Sequence, residues 1–162
     1  MSNDIAPQAK GRSDAADIRA LQAAMLHCEA GRLADAKSLC ENILLHSPHQ
    51  AEAIHLLAIL SAQLGHGPRA IDLFHHCIRL RPDWGEAHVN LAIALRGQQR
   101  VDEAITAAQR AIQLMPSCAA AHYHLGAAHY ENAQPNLAAS SFRRVLEIDS
   151  SHAHAMNDLA VC

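Results

Sequence analysis

The chain has 162 residues, half of them apolar but only 3% aromatic, and its formal net charge is −3. Its 13 Lys and Arg residues form no basic stripe that could neutralise phosphates, so nucleic acid is excluded as an expected partner. No segment approaches the ~20 apolar residues that cross a bilayer, and the N-terminus lacks the apolar core of a secretion signal. We therefore expect a cytoplasmic protein that binds no membrane.

The N-terminal region predicts a leader followed by a helix. Residues 1–15 are rich in small, polar and charged residues without sustained periodicity, which predicts a flexible leader. Helix signals begin at Asp17, which we interpret as an N-cap, and continue with apolar residues at helical spacing. Gly31 is predicted to end this helix, as Gly65 ends the equivalent one, because glycine tolerates the left-handed conformation. Gln99 and Ala133 take this place later in the chain, where we expect less sharply defined turns.

From residue 17 the sequence repeats every 34 residues, as from Ala36 to Ala70. Units 17–50, 51–84, 85–118 and 119–152 align without insertion or deletion, and residues 153–162 begin a fifth unit. A small residue stands at position 20 and position 8 of every complete unit: Ala36, Ala70, Ala104 and Ala138, and Ala24, Ala58, Ala92 and Gly126. Such a period predicts two stacked helices per unit.

The second helices are expected to begin near residues 34, 68, 102 and 136, and no segment carries a strand signal. The predicted fold class is therefore all-α, a right-handed α-solenoid of helix-turn-helix units that occupies residues 16–162. Met156 and Leu159 lie in the partial fifth unit, on a helix whose partner is missing. Self-association through this incomplete C-terminal unit is a further expectation, because repeat arrays are usually closed by a polar capping helix.

The repeated pattern resembles the tetratricopeptide repeat (TPR) family, which has Leu at position 7, a small residue at 8, Gly at 15, Ala at 20, an aromatic residue at 24 and Pro at 32. The second unit carries Leu57, Ala58, Gly65, Ala70, Phe74 and Pro82 at these places. The resemblance covers residues 17–162. It implies a protein–protein interaction scaffold that binds a peptide or protein partner in the concave groove formed by the first helices.

The amino-acid sequences of the units also resemble those of the N-terminal TPR arrays of bacterial O-linked N-acetylglucosamine (O-GlcNAc) transferase-like glycosyltransferases and TPR sulfotransferases. In those proteins the array recruits substrate for a separate catalytic domain. This second resemblance implies an alternative function, that of a substrate-recruiting N-terminal fragment of such an enzyme.

The family resemblance also implies which side chains line the groove, because positions 2, 5, 6, 9, 12 and 13 of each first helix face inwards in this family. The candidate groove residues are Gln22, Met25, His55, Ile59, Asn90, Ile93, Arg96, Tyr123, His124 and Tyr130. An apolar floor with a few convergent polar groups suits an extended or helical peptide. Packing between neighbouring first helices is the alternative role for Ile59 and Ile93.

We expect no enzymatic activity and no cofactor, because none of the common nucleophile, phosphate-loop, zinc-protease or dinucleotide motifs occurs. The 13 histidines raise the question of a metal site. No two of them stand three or four residues apart within a predicted helix, as a helical zinc site requires. No metal is therefore expected, although pairing of His88 with His122 between units stays open.

Overall fold

A computed structural model describes the backbone of residues 6–162 and the side chains of residues 15–162. Within these residues the chain forms nine α-helices and no strand, which confirms the all-α solenoid class. The helices are α1 (Ala6–Glu29), α2 (Leu33–His46), α3 (Ala51–Gln63), α4 (Gly67–Leu80), α5 (Gly85–Gly97), α6 (Val101–Leu114), α7 (Ala119–Glu131), α8 (Pro135–Ile148) and α9 (Ala153–Ala160).

The helices form two layers. The first helices α3, α5 and α7 each pack on the second helix of their own unit and on that of the preceding unit; α1 packs on α2, and α9 packs on α8. In addition, α5 contacts both α3 and α7. No comparable contact joins one second helix to the next in the part of the chain that the structure describes. The first helices α1, α3, α5, α7 and α9 therefore form the tighter inner layer, and the second helices form the outer one.

Small residues hold the layers close together. The four alanines at position 20 are completely buried, as are Ala24, Ala58 and Ala92 at position 8. In the fourth unit Gly126 takes position 8, and a Cβ built there would lie 2.7 Å from Cε1 of the buried Phe142. A larger side chain at these columns would overpack the contact between helices, which is why the sequence repeats them.

All four turns within the units share one geometry, including the two that lack glycine. The residues at position 15 have positive φ angles: 72° at Gly31, 82° at Gly65, 59° at Gln99 and 55° at Ala133. In each turn the following N–H donates to the carbonyl five residues earlier, as Gln134 does to His129 at 2.9 Å. This is the Schellman motif. The expectation of less defined turns at Gln99 and Ala133 was wrong, because these hydrogen bonds impose the left-handed conformation.

The histidines at position 4 fasten one unit to the next. Nε2 of His88 lies 3.1 Å from the carbonyl oxygen of Pro82, and Nε2 of His122 lies 3.0 Å from that of Pro116. Because a carbonyl oxygen only accepts, Nε2 must carry the proton in both rings. Burial lowers the pKa of His88, which favours the neutral ring.

The first helix begins earlier than the sequence indicated. α1 starts at Ala6, so the backbone of residues 6–15 is helical, while the rest of the expected leader, residues 1–5, lies outside the described residues. The interpretation of Asp17 as an N-cap was wrong, since it lies inside α1. Its buried carboxylate accepts a hydrogen bond of 2.5 Å from the Ser47 hydroxyl and so ties α1 to the end of α2.

Candidate functional site

Polar side chains of the inner layer pair across successive units. Nδ2 of Asn90 donates to Nε2 of His55 at 3.0 Å, and the Tyr123 hydroxyl donates to Asp158 at 2.9 Å. Both pairs are 35 residues apart and join position 5 of one unit to position 6 of the next. We call these contacts, together with the ion pair described next, inter-unit rungs. They fix the spacing between first helices.

A third rung joins α5 to α7 through Arg96. Its guanidinium donates to the Glu131 carboxylate, with Nε at 3.1 Å, and Nη1 donates to Nδ1 of His124 at 3.1 Å. Arginine cannot accept, so Nδ1 of His124 must be unprotonated. Burial, reinforced by the positive charge of Arg96, lowers the pKa of His124 to about 4. The imidazole is therefore a neutral acceptor across the physiological pH range.

His55 lies in an aromatic corner of the inner layer. Its ring centroid is 4.5 Å from that of Trp84, and the Arg81 guanidinium sits 4.2 Å above the Trp84 ring. Burial lowers the pKa of His55, although the nearby carboxylate of Glu86 acts in the opposite direction. The hydrogen bond from Asn90 agrees with this direction, because the amide NH₂ requires an unprotonated Nε2. The His55 rung is thus electrically neutral.

An apolar column runs between the rungs, at position 9 of every unit. Its members are Met25, Ile59, Ile93, Ala127 and Val161. Three of them are substantially exposed: Met25 at 53%, Ile93 at 41% and Val161 at 65% of their accessible surface. We call the five residues at position 9 the apolar column. Beside it, Tyr130 at position 12 adds a ring that is 49% exposed. The column forms a stripe of apolar surface along the length of the inner layer.

Cavities lie beside both the inner and the outer layer. One of about 140 Å³ lies at the C-terminal end of the inner layer and is lined by the aromatic rings of Tyr123, Tyr130 and Phe142 and by the charged side chains of Arg96, Glu131 and Asp158. A larger one of about 510 Å³ lies between α4 and α6, over a floor formed by α5. It occupies the outer gap where second helices diverge, and its Glu103 and Arg110 are already bonded to Arg100 and Gln113.

The structure divides the ten sequence-predicted groove residues into three groups. Gln22, Met25, Ile93 and Tyr130 are exposed; Ile59 is half-buried against the core cluster around Phe74. The remaining five are half-buried and belong to the rungs: His55, Asn90, Arg96, Tyr123 and His124. The predicted set does not include Glu131, Asp158 and Val161, which the structure places beside it. The two carboxylates can be found from the 35-residue spacing, because a residue at one position of a unit lies beside the residue at the next position of the following unit.

Within residues 15–162 we find neither an activated nucleophile nor a cluster of metal ligands. Burial raises the pKa of Cys28, at position 12 of the first unit, which disfavours the thiolate that a nucleophile needs. Within residues 15–162 no three His, Cys, Asp or Glu side chains are placed to hold a metal ion. Among the described helices, none is both long and apolar enough to cross a membrane.

Stacked helix pairs with a rung-lined inner face define a class, the α-solenoid scaffolds of protein interaction. Two family models, both described as tetratricopeptide repeat, match residues 28–88 and 89–153. The chain belongs to the tetratricopeptide repeat family. Among curated proteins, no sequence matches it significantly.

Several solved structures share the fold. A structure of PilF from Pseudomonas aeruginosa has a TM-score of 0.86 at 20% identity and covers 92% of this chain and 68% of its own. YrrB, described as a TPR protein with an unusual peptide-binding site, has a TM-score of 0.78 at 17% identity and covers 89% and 74%. The O-GlcNAc transferase of Thermobaculum terrenum has a TM-score of 0.80 at 25% identity, over 84% of this chain but only 26% of the enzyme.

Proposed function

We propose that the chain is an interaction scaffold that binds a peptide segment of a protein partner along its inner layer. The observation that carries this proposal is the apolar column, which exposes Met25, Ile93 and Val161 at equivalent places in three units. Exposed apolar side chains aligned over the length of a protein are characteristic of interaction sites. Membership of the tetratricopeptide repeat family supports the same function.

The rungs determine which groups a ligand can use. His55, Asn90, Tyr123 and Arg96 already have partners within the chain, so a peptide gains no free donor or acceptor there without breaking a rung. Burial of ligand side chains against the apolar column would then supply most of the affinity, at ~25 cal/mol per Å² of apolar surface removed from water, less the cost of ordering the peptide. Substitution of Asn90 or Tyr123 would disturb the stacking of units as well as ligand binding.

The test is therefore a variant in the apolar column. The triple variant Met25→Ser, Ile93→Ser and Val161→Ser removes exposed side chains and leaves the core intact. Peptides are first selected from a random display library for binding to the wild-type chain. The expected result is that the triple variant no longer binds them. The matched control is Leu45→Ser with Leu137→Ser, since these side chains on the second helices are 78% and 50% exposed but lie outside the column. Equal binding by the triple variant and the control would contradict the proposal.

The alternative, recruitment of substrate for a glycosyltransferase or sulfotransferase, draws support from the likeness to the O-GlcNAc transferase structure. It requires a catalytic domain on the same polypeptide. Sequencing the genomic reading frame beyond the codon for Cys162 tests it, because an immediate stop codon would rule out a C-terminal catalytic domain. Self-association through α9 is a separate proposal. It predicts a dimer in sedimentation that Met156→Ser, at an exposed position, dissociates.

A further inference from the structure

The two helix layers carry different charge. Four of the first helices, α3, α5, α7 and α9, contain four acidic residues, Glu52, Glu86, Glu131 and Asp158, and one basic residue, Arg96. Four negative charges and one positive charge give these four helices a net charge of −3, and residues 15–29 of α1 add two acidic residues and one basic residue. The second helices α2, α4, α6 and α8 contain six acidic and six basic residues and are balanced: Asp35, Glu41, Asp72, Asp102, Glu103 and Glu147, against Lys37, Arg69, Arg79, Arg110, Arg143 and Arg144. The negative charge is therefore concentrated beside the apolar column.

Two of the four carboxylates on α3, α5, α7 and α9 lack a cationic partner. Glu52 pairs with Arg81 at 2.7 Å, and Glu131 pairs with Arg96. Within the described residues neither Glu86 nor Asp158 has a basic side chain within ion-pair distance, and Asp158 accepts only the Tyr123 hydroxyl. His55 and His124 do not offset these charges, since both rings accept a hydrogen bond and are neutral. The groove thus has a residual negative charge at two sites.

Asp158 stands at a cavity suited to a long basic side chain. The cavity of about 140 Å³ at the C-terminal end of the inner layer has apolar lining from Ala127, Phe142 and Val161. Arg96 and Glu131 also line it, but they form an ion pair with each other, so the Asp158 carboxylate is the unpaired charge of the lining. The methylene stem of a lysine or arginine packs well on such walls while its cationic head meets a carboxylate. Tyrosine faces also attract cations. An acidic side chain would instead meet the unpaired Asp158 carboxylate, since Arg96 is already paired with Glu131.

We infer that the ligand of this groove is a basic peptide, with apolar side chains on the apolar column and a Lys or Arg side chain in the Asp158 cavity. This inference rests on the proposed function and deepens it. The commitment to a basic occupant comes from charge complementarity, because the groove combines unpaired carboxylates with an exposed apolar stripe. Positive ligand charge would also speed association with the acidic face and make binding sensitive to salt.

The test uses random peptides displayed against the immobilised chain, followed by affinity measurements on synthetic copies of the selected sequences. We expect the selected peptides to be enriched in Lys and Arg over the input library. The variant Glu86→Gln with Asp158→Asn should bind them roughly ten-fold more weakly, from about three-fold per carboxylate, and with a smaller salt dependence. Asparagine at residue 158 retains an acceptor for Tyr123, so the rung is kept.

The matched control is Asp72→Asn with Glu147→Gln, which removes two negative charges from exposed positions on second helices. It should bind the selected peptides like the wild type. Enrichment of neutral or acidic peptides that still require the apolar column would overturn the basic preference and leave the proposed function standing. Peptides that bind wild type, groove variant and column variant equally would overturn both.

Discussion

Protonation of His124 should destabilise the C-terminal half of the array. Its ring accepts a hydrogen bond from Arg96 and is flanked by Glu131 on its own helix and His152 before α9. Protonation would remove that bond and place two cations side by side. Because the folded-state pKa is about 4 and the ordinary value is 6.5, the unfolded chain takes up a proton over a pH range in which the folded chain does not. Stability is therefore lost as the pH falls from 6.5 towards 4.

The size of the effect follows from these two values. Between pH 7.5 and pH 5, His124 alone should lower the free energy of unfolding by about 2 kcal/mol. The pKa values of His55 and His88 are also lowered by burial, so they add to the loss in the same direction. Urea unfolding at a series of pH values, followed by far-ultraviolet circular dichroism, measures the total. The variant His124→Gln keeps an acceptor for Arg96 but does not titrate, and it should remove the His124 share of the loss.

The matched control for removing one imidazole is His66→Gln, at an exposed position before α4. It should follow the wild-type curve. If His124→Gln and the wild type lose the same free energy between pH 7.5 and pH 5, the neutral His124 acceptor is not what couples stability to pH, and the reasoning fails.

Two further predictions concern glycine. Ala133→Gly should raise the free energy of unfolding by ~1 kcal/mol, because alanine at a φ of 55° carries a steric cost that glycine avoids, whereas Gly65→Ala at 82° should lower it; thermal melts that rank these variants in the opposite order would contradict this. Gly126→Ala should destabilise by ~1 kcal/mol despite the better helix propensity of alanine, because the new Cβ would overlap the Phe142 ring; an unchanged or higher melting temperature would contradict that.

The fold could be predicted from the sequence because it depends on residues that recur at the same position of every unit. Ala36 and its equivalents at position 20 are all buried without any exposed surface, as a close helix contact demands. The turns were harder to predict, since the sequence signal at position 15 is glycine and two units lack it. Gln99 and Ala133 nevertheless adopt the same left-handed backbone, because two hydrogen bonds in each turn and the packing of both helices outweigh the local preference.

The sequence predicted which residues lie on the inner face, but not which of them are free to bind a ligand. Position alone placed Asn90 and His124 among inward-facing side chains, but their availability depends on partners one unit away. Asn90 is engaged by His55 and His124 by Arg96, and neither partner is apparent from the unit's own pattern. Rotamers and hydrogen bonds across units decide which members of a column remain free. The ion pair between Arg96 and Glu131 shows the same dependence, since its partners lie in different units.

In the inner layer, the rungs hold neighbouring first helices together and the apolar column provides the surface that contacts a ligand. Each rung joins neighbouring first helices and so resists the sliding that would change their spacing. Ile93 and Val161, which lie on segments that the rungs connect, then keep a fixed distance from each other, which presents a preorganised surface and reduces the entropy that binding must overcome. A ligand that fits this surface needs apolar side chains at the repeat spacing. Because the charged groove groups without an ion-pair partner are the carboxylates of Glu86 and Asp158, the charge on such a ligand is a property that the groove can discriminate.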